Sequence, residues 1–378
     1  MRLAFISTMS GAPWGGSEEL WSQTALRLHQ EGHEVLASVV WHPQLSPKAL
    51  ALEKQGVRLF PWKLPVHQSL PAQLWTKARR KLRRPEAAVA WLRTHQPDFV
   101  VISQGCIWDG IEWMNCCAAA GMRFVTVVQL NTEIWWPDDR RGVEMAQAYQ
   151  AAKRVFCVSR HNLDLLENQL GVSLPRAEVV WNPFNVPTDP PPPWPSEESC
   201  LRMACVARLE PTAKGQDVLL KVLSQDQWRK RPVEINFYGS GPCEQSLRSL
   251  VNRLELKNVH FRGQVADVAA IWKENHILVL PSRAEGLPLA LVEAMWCGRP
   301  AIVTNSGGNA EVCIDGETGF VAAAPAVSLL AETMEQAWER RHEWQSMGQA
   351  ARAHAAKVIP RDPINKFCQQ LLKCASKS

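Results

Sequence analysis

The strongest constraint on the fold is a rhythm that occurs twice. Short apolar runs rich in β-branched residues alternate with amphipathic segments, stop at Pro187-Thr-Asp-Pro-Pro-Pro-Pro-Trp-Pro195, and then begin again. Before the break, residues 3–7, 34–40, 98–103, 123–128 and 154–158 read as strands, and 17–30 and 162–170 as helices, with Ser17 the expected N-cap of the first. After it, 202–207, 234–238, 259–261, 277–280 and 301–303 read as strands, with helices that include 217–223 and 289–296. Strands that are apolar at nearly every position are buried on both faces, which implies parallel sheets covered by helices. Proline fixes φ and lacks an N–H, so the Pro-rich stretch is neither helix nor central strand and is expected to be an extended linker. The expectation is an α/β protein of two tandem domains, 1–186 and 198–360, joined by 187–197. A terminal segment, 361–378, carries a last helical stretch over 363–373.

Length and composition agree. At about 150 residues per domain, 378 residues make two or three domains. With 46% apolar and 21% charged residues the chain is ordinary globular material, and wholesale disorder is excluded. A net charge of +5 is too mild to imply a nucleic-acid binder. Eleven cysteines, an odd number with no C-x-x-C spacing, point to reduced thiols in a cytoplasmic protein and form no zinc pattern. The apolar run at 3–6 is too short for a signal-peptide core, and no stretch nears the roughly 20 apolar residues that span a bilayer. A soluble protein, or one attached to a membrane face, is expected. The 17 Trp are read mainly as core and surface anchors, although an indole can also stack on a sugar.

In parallel α/β sheets, ligands sit beyond the carboxyl ends of the strands, and two such edges can face each other across a cleft. The informative loops follow strands. Gly11-Ala-Pro-Trp-Gly-Gly-Ser17 lets backbone approach a ligand, ahead of a helix N-terminus that favours anions. Arg208 and Lys214 bracket a loop where two cations can meet a pair of phosphates. Phe237-Tyr-Gly-Ser-Gly241 is half of a dinucleotide fingerprint, with Glu244 where the third glycine belongs, so a tight turn fits it better. Glu285 stands in a loop, with Gly286 and Leu287 offering N–H groups before a helix that Pro288 and Leu289 open and that carries Glu293. Two carboxylates so placed can bind two hydroxyl clusters with donors for phosphate between them. Asn305-Ser-Gly-Gly-Asn309 is another loop for close approach.

Taken together, Arg208 and Lys214, the Glu285…Glu293 pair, Ser306-Gly-Gly-Asn-Ala-Glu311 and Asp315-Gly-Glu-Thr-Gly-Phe320 resemble the C-terminal half of family 4 retaining glycosyltransferases. Gly15-Gly16 and Val158-Ser159 resemble the family's N-terminal half, so the likeness covers nearly the whole chain. It implies two Rossmann-like domains facing across a cleft (the GT-B fold), a nucleotide-sugar donor as substrate rather than a cofactor, no obligatory metal, and a last helix that crosses back to the first domain. By resemblance, Arg208 and Lys214 hold the diphosphate, Glu293 the ribose hydroxyls and Glu285 the donor sugar. The amides from Gly286 to Leu289 and the Gly15-Gly16 turn help to hold diphosphate or sugar. Two fixed cations and a helix N-terminus can stabilise the charge that grows on a leaving nucleoside diphosphate without Mg²⁺.

The chain departs from the family where many members place a His after the fourth strand of the first domain. Here that region reads Val128-Gln-Leu-Asn131-Thr-Glu133. Gln129 and Asn131 can hydrogen-bond a sugar but cannot act as a base near neutral pH, Glu133 can accept a proton, and His42 is a rival contact. On the acceptor side, Lys77-Ala-Arg-Arg-Lys-Leu-Arg-Arg84 is a candidate for peripheral docking on anionic lipid. The expected function is hexosyl transfer, with retention, from a UDP-sugar to a glycan or lipid-linked acceptor. A nucleotide-sugar epimerase and a non-catalytic sugar-nucleotide-binding protein are the alternatives.

Overall fold

The computed structural model of the protein describes residues 1–10, 13–42, 45–62, 84–196 and 200–376. The basic run beginning at Lys77 lies outside the described residues up to position 83, and Arg84 is the first residue of a helix, Arg84–His95. The chain divides into two compact units, Met1–Pro183 with Asp362–Ser378, and Phe184–Arg361.

In the first unit, β1 (Arg2–Ser7), β2 (Glu34–Val40), β3 (Arg58–Trp62), β4 (Phe99–Gln104), β5 (Phe124–Val128), β6 (Arg154–Cys157) and β7 (Ala177–Val179) make a sheet in the order β3-β2-β1-β4-β5-β6-β7. Every pairing is parallel. Apolar residues at consecutive positions of β1 and β4 serve both faces. Leu3 and Phe5 join Trp21, Phe156 and Phe367 on one side, while Ala4 and Ile6 join Met114, Phe124 and Tyr149 on the other. The edge strand β3 carries Pro61, which an edge tolerates and a central strand would not, and for that reason the segment does not read as a strand in the sequence. The first helix, Gly16–Gln30, is capped by Gly15 without a side-chain bond. The expected cap, Ser17, lies inside the first turn, because the helix already begins at Gly16 after an extended Gly15.

The helix Pro363–Ser376 belongs to this first unit. Ile364, Phe367, Cys368, Leu371 and Ala375 form one buried stripe at helical spacing. Phe367 meets Phe156 edge-on at 5.2 Å, and the Arg123 guanidinium donates to the Ala375 carbonyl at 2.7 Å.

In the second unit, β8 (Leu201–Val206), β9 (Val233–Tyr238), β10 (Val259–Gly263), β11 (Ile277–Leu280), β12 (Ala301–Thr304) and β13 (Gly319–Ala322) run parallel in the order β10-β9-β8-β11-β12-β13. The unit begins at Phe184, earlier than the boundary the sequence suggests, so the Pro-rich stretch packs as part of it. The cause is Arg299. Its guanidinium is buried and donates to the carbonyls of Pro192, Pro193, Trp272, Asn275 and Cys297, and it lies 5.0 Å from the centre of the Trp194 ring. Burial pulls the Arg299 pKa down to about 10. All eleven cysteines are free thiols, and no described helix is long and apolar enough to cross a membrane.

Candidate functional site

Each sheet reverses its strand order at one place, β1/β4 in the first unit and β8/β11 in the second. Loops leaving adjacent strands there diverge to opposite faces and open a crevice, the usual ligand position in open α/β sheets. In the second unit, the loops leaving β8 and β11 carry Lys214 and Glu285. Lys214 Nζ donates to Glu285 Oε1 at 2.7 Å, and Ser282 Oγ donates to the same oxygen at 2.7 Å. Glu285 is only 4% exposed.

Backbone holds this pair in place. The N–H groups of Arg283 and Ala284 both donate to the Ala213 carbonyl, at 2.8 and 3.0 Å. The Arg283 guanidinium grips the Asp217 carboxylate with two bonds of 2.6 and 2.9 Å and donates to the Pro211 carbonyl at 2.6 Å. Burial alone would raise the Asp217 carboxyl, but the hydrogen bonds and charge of Arg283 outweigh it and hold Asp217 below its ordinary value. The turn after Lys214 requires glycine. Gly215 has φ +63°, and a Cβ there would lie 1.9 Å from the Pro281 carbonyl oxygen. The β12 loop closes in the same way. Gly307, at φ +53°, would place a Cβ 2.0 Å from the Glu285 carbonyl oxygen, and the Gly308 N–H donates to the Gly286 carbonyl at 2.7 Å.

Gly286, Leu287 and Pro288 lead from Glu285 into the helix Leu289–Trp296, with Pro288 as its N-cap. Glu293 lies in the second turn. An exposed helical Glu would be ordinary, but this one is 5% exposed and Oε1 accepts the Asn185 N–H at 3.0 Å. Arg208 starts the β8 loop. Its guanidinium is half-exposed and pairs with Glu210, and its carbonyl accepts from Gln216 Nε2 at 2.8 Å. Lys214 and Glu285 are therefore in direct contact, Glu293 is on the adjoining helix, and Arg208 borders the same loop with a different partner. Sequence reasoning missed Ser282, Arg283 and Asp217. Nothing in a linear chain marks Asp217 as the partner of Arg283.

In the first unit, Gly15 and Gly16 open the helix beside the end of β1. Glu18, in the first turn, is buried, with Ser7 Oγ and Trp21 Nε1 donating to its Oε2 at 2.8 and 2.9 Å. Burial pushes its carboxyl up to about 7, against hydrogen bonds from Ser7, Trp21 and Ser17 that lower it. Gln129, Asn131 and Glu133 follow β5. Gln129 Oε1 accepts from Asn182 Nδ2 at 2.8 Å. Asn131 is buried; its Nδ2 donates to Gln169 Oε1 on the helix Arg160–Leu170, and its Oδ1 accepts the Thr132 N–H, both at 2.8 Å. Glu133 is exposed and bonds His161 Nε2 at 2.9 Å. His42 follows β2, three inter-strand steps from β5, about 14 Å at the sheet edge, so it and the β5 loop are separate features.

The Glycosyltransferase Family 4 model matches residues 14–186, and the model for glycosyl transferases group 1 matches residues 193–354. The chain belongs to this glycosyltransferase family. Among curated relatives, the chain is 31% identical over 151 residues to D-rhamnosyltransferase WbpZ of Pseudomonas aeruginosa, covering 39% of this chain and 38% of that one. It is 32% identical over 161 residues to the GDP-mannose-dependent monoacylated alpha-(1-6)-phosphatidylinositol monomannoside mannosyltransferase of Corynebacterium glutamicum, covering 40% and 42%. The matched part thus spans less than half the length of these relatives. Among solved structures, Anabaena Alr3699/HepE in complex with UDP-glucose aligns with TM-score 0.76 at 18% identity over 99% of both chains. A point mutant of S. aureus TarM, in complex with UDP among other ligands, aligns with TM-score 0.75 at 12% identity over the full length of both. At these identities the likeness is one of fold, and the chain shares with both an architecture of two parallel-sheet α/β domains.

Proposed function

We propose that this glycosyltransferase moves a hexose from a UDP-sugar to an acceptor hydroxyl in glycan or glycolipid assembly, with retention and without a metal. The observation that carries the reading is the 2.7 Å contact between Lys214 and Glu285 at the β8/β11 reversal, with the buried Glu293 on the helix that follows. UDP is preferred as carrier because UDP occupies Alr3699/HepE and TarM, although four curated relatives are named for GDP-mannose.

In this mechanism the bond from the anomeric carbon to the β-phosphate oxygen breaks, and the acceptor oxygen bonds to that carbon from the same face. The acceptor proton passes to the departing phosphate oxygen. Lys214 turns from Glu285 to the diphosphate and, with Arg208 released from Glu210, meets the charge that develops on it. Glu285 then accepts from sugar hydroxyls and Glu293 from the ribose. The Gly286–Leu289 amides and the Gly15-Gly16 turn hold diphosphate or sugar, and Gln129, Asn131, Glu133 and His42 are the candidate sugar or acceptor contacts.

The test is calorimetric titration of UDP-glucose, UDP and GDP-mannose into the protein, Lys214→Ala and Glu293→Ala. Loss of a hydrogen bond to a charged group is worth about 1.5–3 kcal/mol, so each variant should weaken UDP-sugar binding roughly 10- to 150-fold. Unchanged affinity in both refutes the site, and binding of GDP-mannose alone refutes the assignment of UDP.

A further inference from the structure

The first unit contains a cavity of about 690 Å³ that none of the roles above uses. It lies at the carboxyl edge of the sheet. Trp62 ends β3, Trp108 and Asp109 follow β4, Glu112 is in the first turn of the helix Ile111–Ala119, and Arg141 and Glu144 project from the helix Asp139–Ala151. The volume falls within the range of about 300–1,000 Å³ typical of small-molecule sites.

The wall chemistry is selective. Trp108 is half-buried and set by Trp135, whose ring centre is 5.1 Å away, with the Arg141 guanidinium 5.7 Å from its own. Trp62 packs edge-on against Trp113 at 6.4 Å, and its buried indole N–H has no partner among the described residues. These are rigid apolar faces. Among the described residues that line the cavity are three carboxylates, Asp109, Glu112 and Glu144, against one guanidinium, that of Arg141. Carboxylates accept from hydroxyls and repel anions, and indole faces cover the C–H face of a pyranose ring. Phosphate, uronic acid and nucleotide are disfavoured by this balance, and an aliphatic chain would strand the carboxylates.

We propose that this cavity binds a saccharide without acidic groups, stacked on Trp108 and hydrogen-bonded by Asp109 and Glu112. In the glycosyltransferase reading, on which this role rests, that saccharide is the sugar unit of the acceptor. Glu144, which already accepts from Asn115 Nδ2 at 3.2 Å, closes the far wall.

The test applies fluorescently labelled full chain to an array of immobilised saccharides that includes uncharged, uronic-acid and phosphorylated members. Parallel arrays receive Trp108→Ala and the conservative double variant Asp109→Asn/Glu112→Gln. A thermal-shift assay with UDP monitors the donor site in each protein. Retention on uncharged saccharides is expected, falling at least tenfold in both variants, with the UDP-induced shift unchanged. The proposal is overturned if no uncharged saccharide is retained, if acidic ones are preferred, or if both variants bind as the parent does. Should UDP shift none of the proteins while uncharged saccharides are still retained, the donor assignment fails and the saccharide site stands.

Discussion

Replacing Glu18 with Gln tests how the first glycine loop is built. Glu18 lies fully buried one turn into the helix Gly16–Gln30, and its carboxyl is raised from 4.5 to about 7, chiefly by burial. An acid whose pKa is raised on folding holds its proton in the folded state after the unfolded chain has lost it. Stability therefore falls as pH rises from about 4.5 through 7, and levels off above that. At about 1.4 kcal/mol per pH unit, the loss across this window is about 3 kcal/mol. Glutamine keeps an acceptor for Ser7 and Trp21 and carries no charge, so this loss should vanish from the variant. Melting temperatures at pH 5 and pH 8 measure it. For a unit of this size about 3 kcal/mol corresponds to roughly 6–12 °C, so the gap between the variant and its parent should shift by that much in the variant's favour on going to pH 8. The comparison of slopes matters, because the new amide N–H lacks a defined partner and lowers the variant at both pH values alike. Parallel melting curves at both pH values would refute the assignment of a buried carboxyl that ionises near neutrality.

Three further outcomes follow from the packing. Gly307→Ala should destabilise the second unit by roughly 1–3 kcal/mol and abolish UDP-sugar binding while leaving a folded protein, since its Cβ must displace the Glu285 carbonyl. Circular dichroism melts with donor titration read this out, and intact binding would contradict the close approach. Arg299→Met should cost roughly 3–5 kcal/mol, because the carbonyls of the Pro-rich segment lose their donor, and should expose 187–196 to protease. Unchanged cleavage there would show that Arg299 does not anchor the segment. Arg231→Ala removes a bidentate pair with Glu335, at 2.7 and 2.6 Å, and stacking 4.4 Å from the Trp228 ring centre. A loss of roughly 1–3 kcal/mol in urea unfolding, with donor affinity unchanged, is expected.

The glycosyltransferase family was legible because its signals are local. Lys214 and Glu285 each follow an apolar strand, and Glu293 sits a fixed step along a helix that a proline opens. What could not be read were partners far apart in sequence. Asp217 and Arg283 look like two surface charges and Arg299 like a solvated cation, and the close-approach loop holding Gly307 does not show that it packs on the Glu285 carbonyl. For the same reason the prolines predict an extended backbone, but not the guanidinium that collects their carbonyls.

By itself, then, the amino-acid order determined two parallel α/β units and the residue types standing at their strand ends, because periodicity and turn chemistry act over a few residues. The tertiary structure alone decided which of those residues meet. It placed Lys214 on Glu285, buried Glu18 and Glu293, and gathered Trp62, Trp108 and three carboxylates around one cavity. Strand order does this, bringing β8 beside β11 and β1 beside β4, and order within a sheet is set by packing between distant segments that no local pattern encodes.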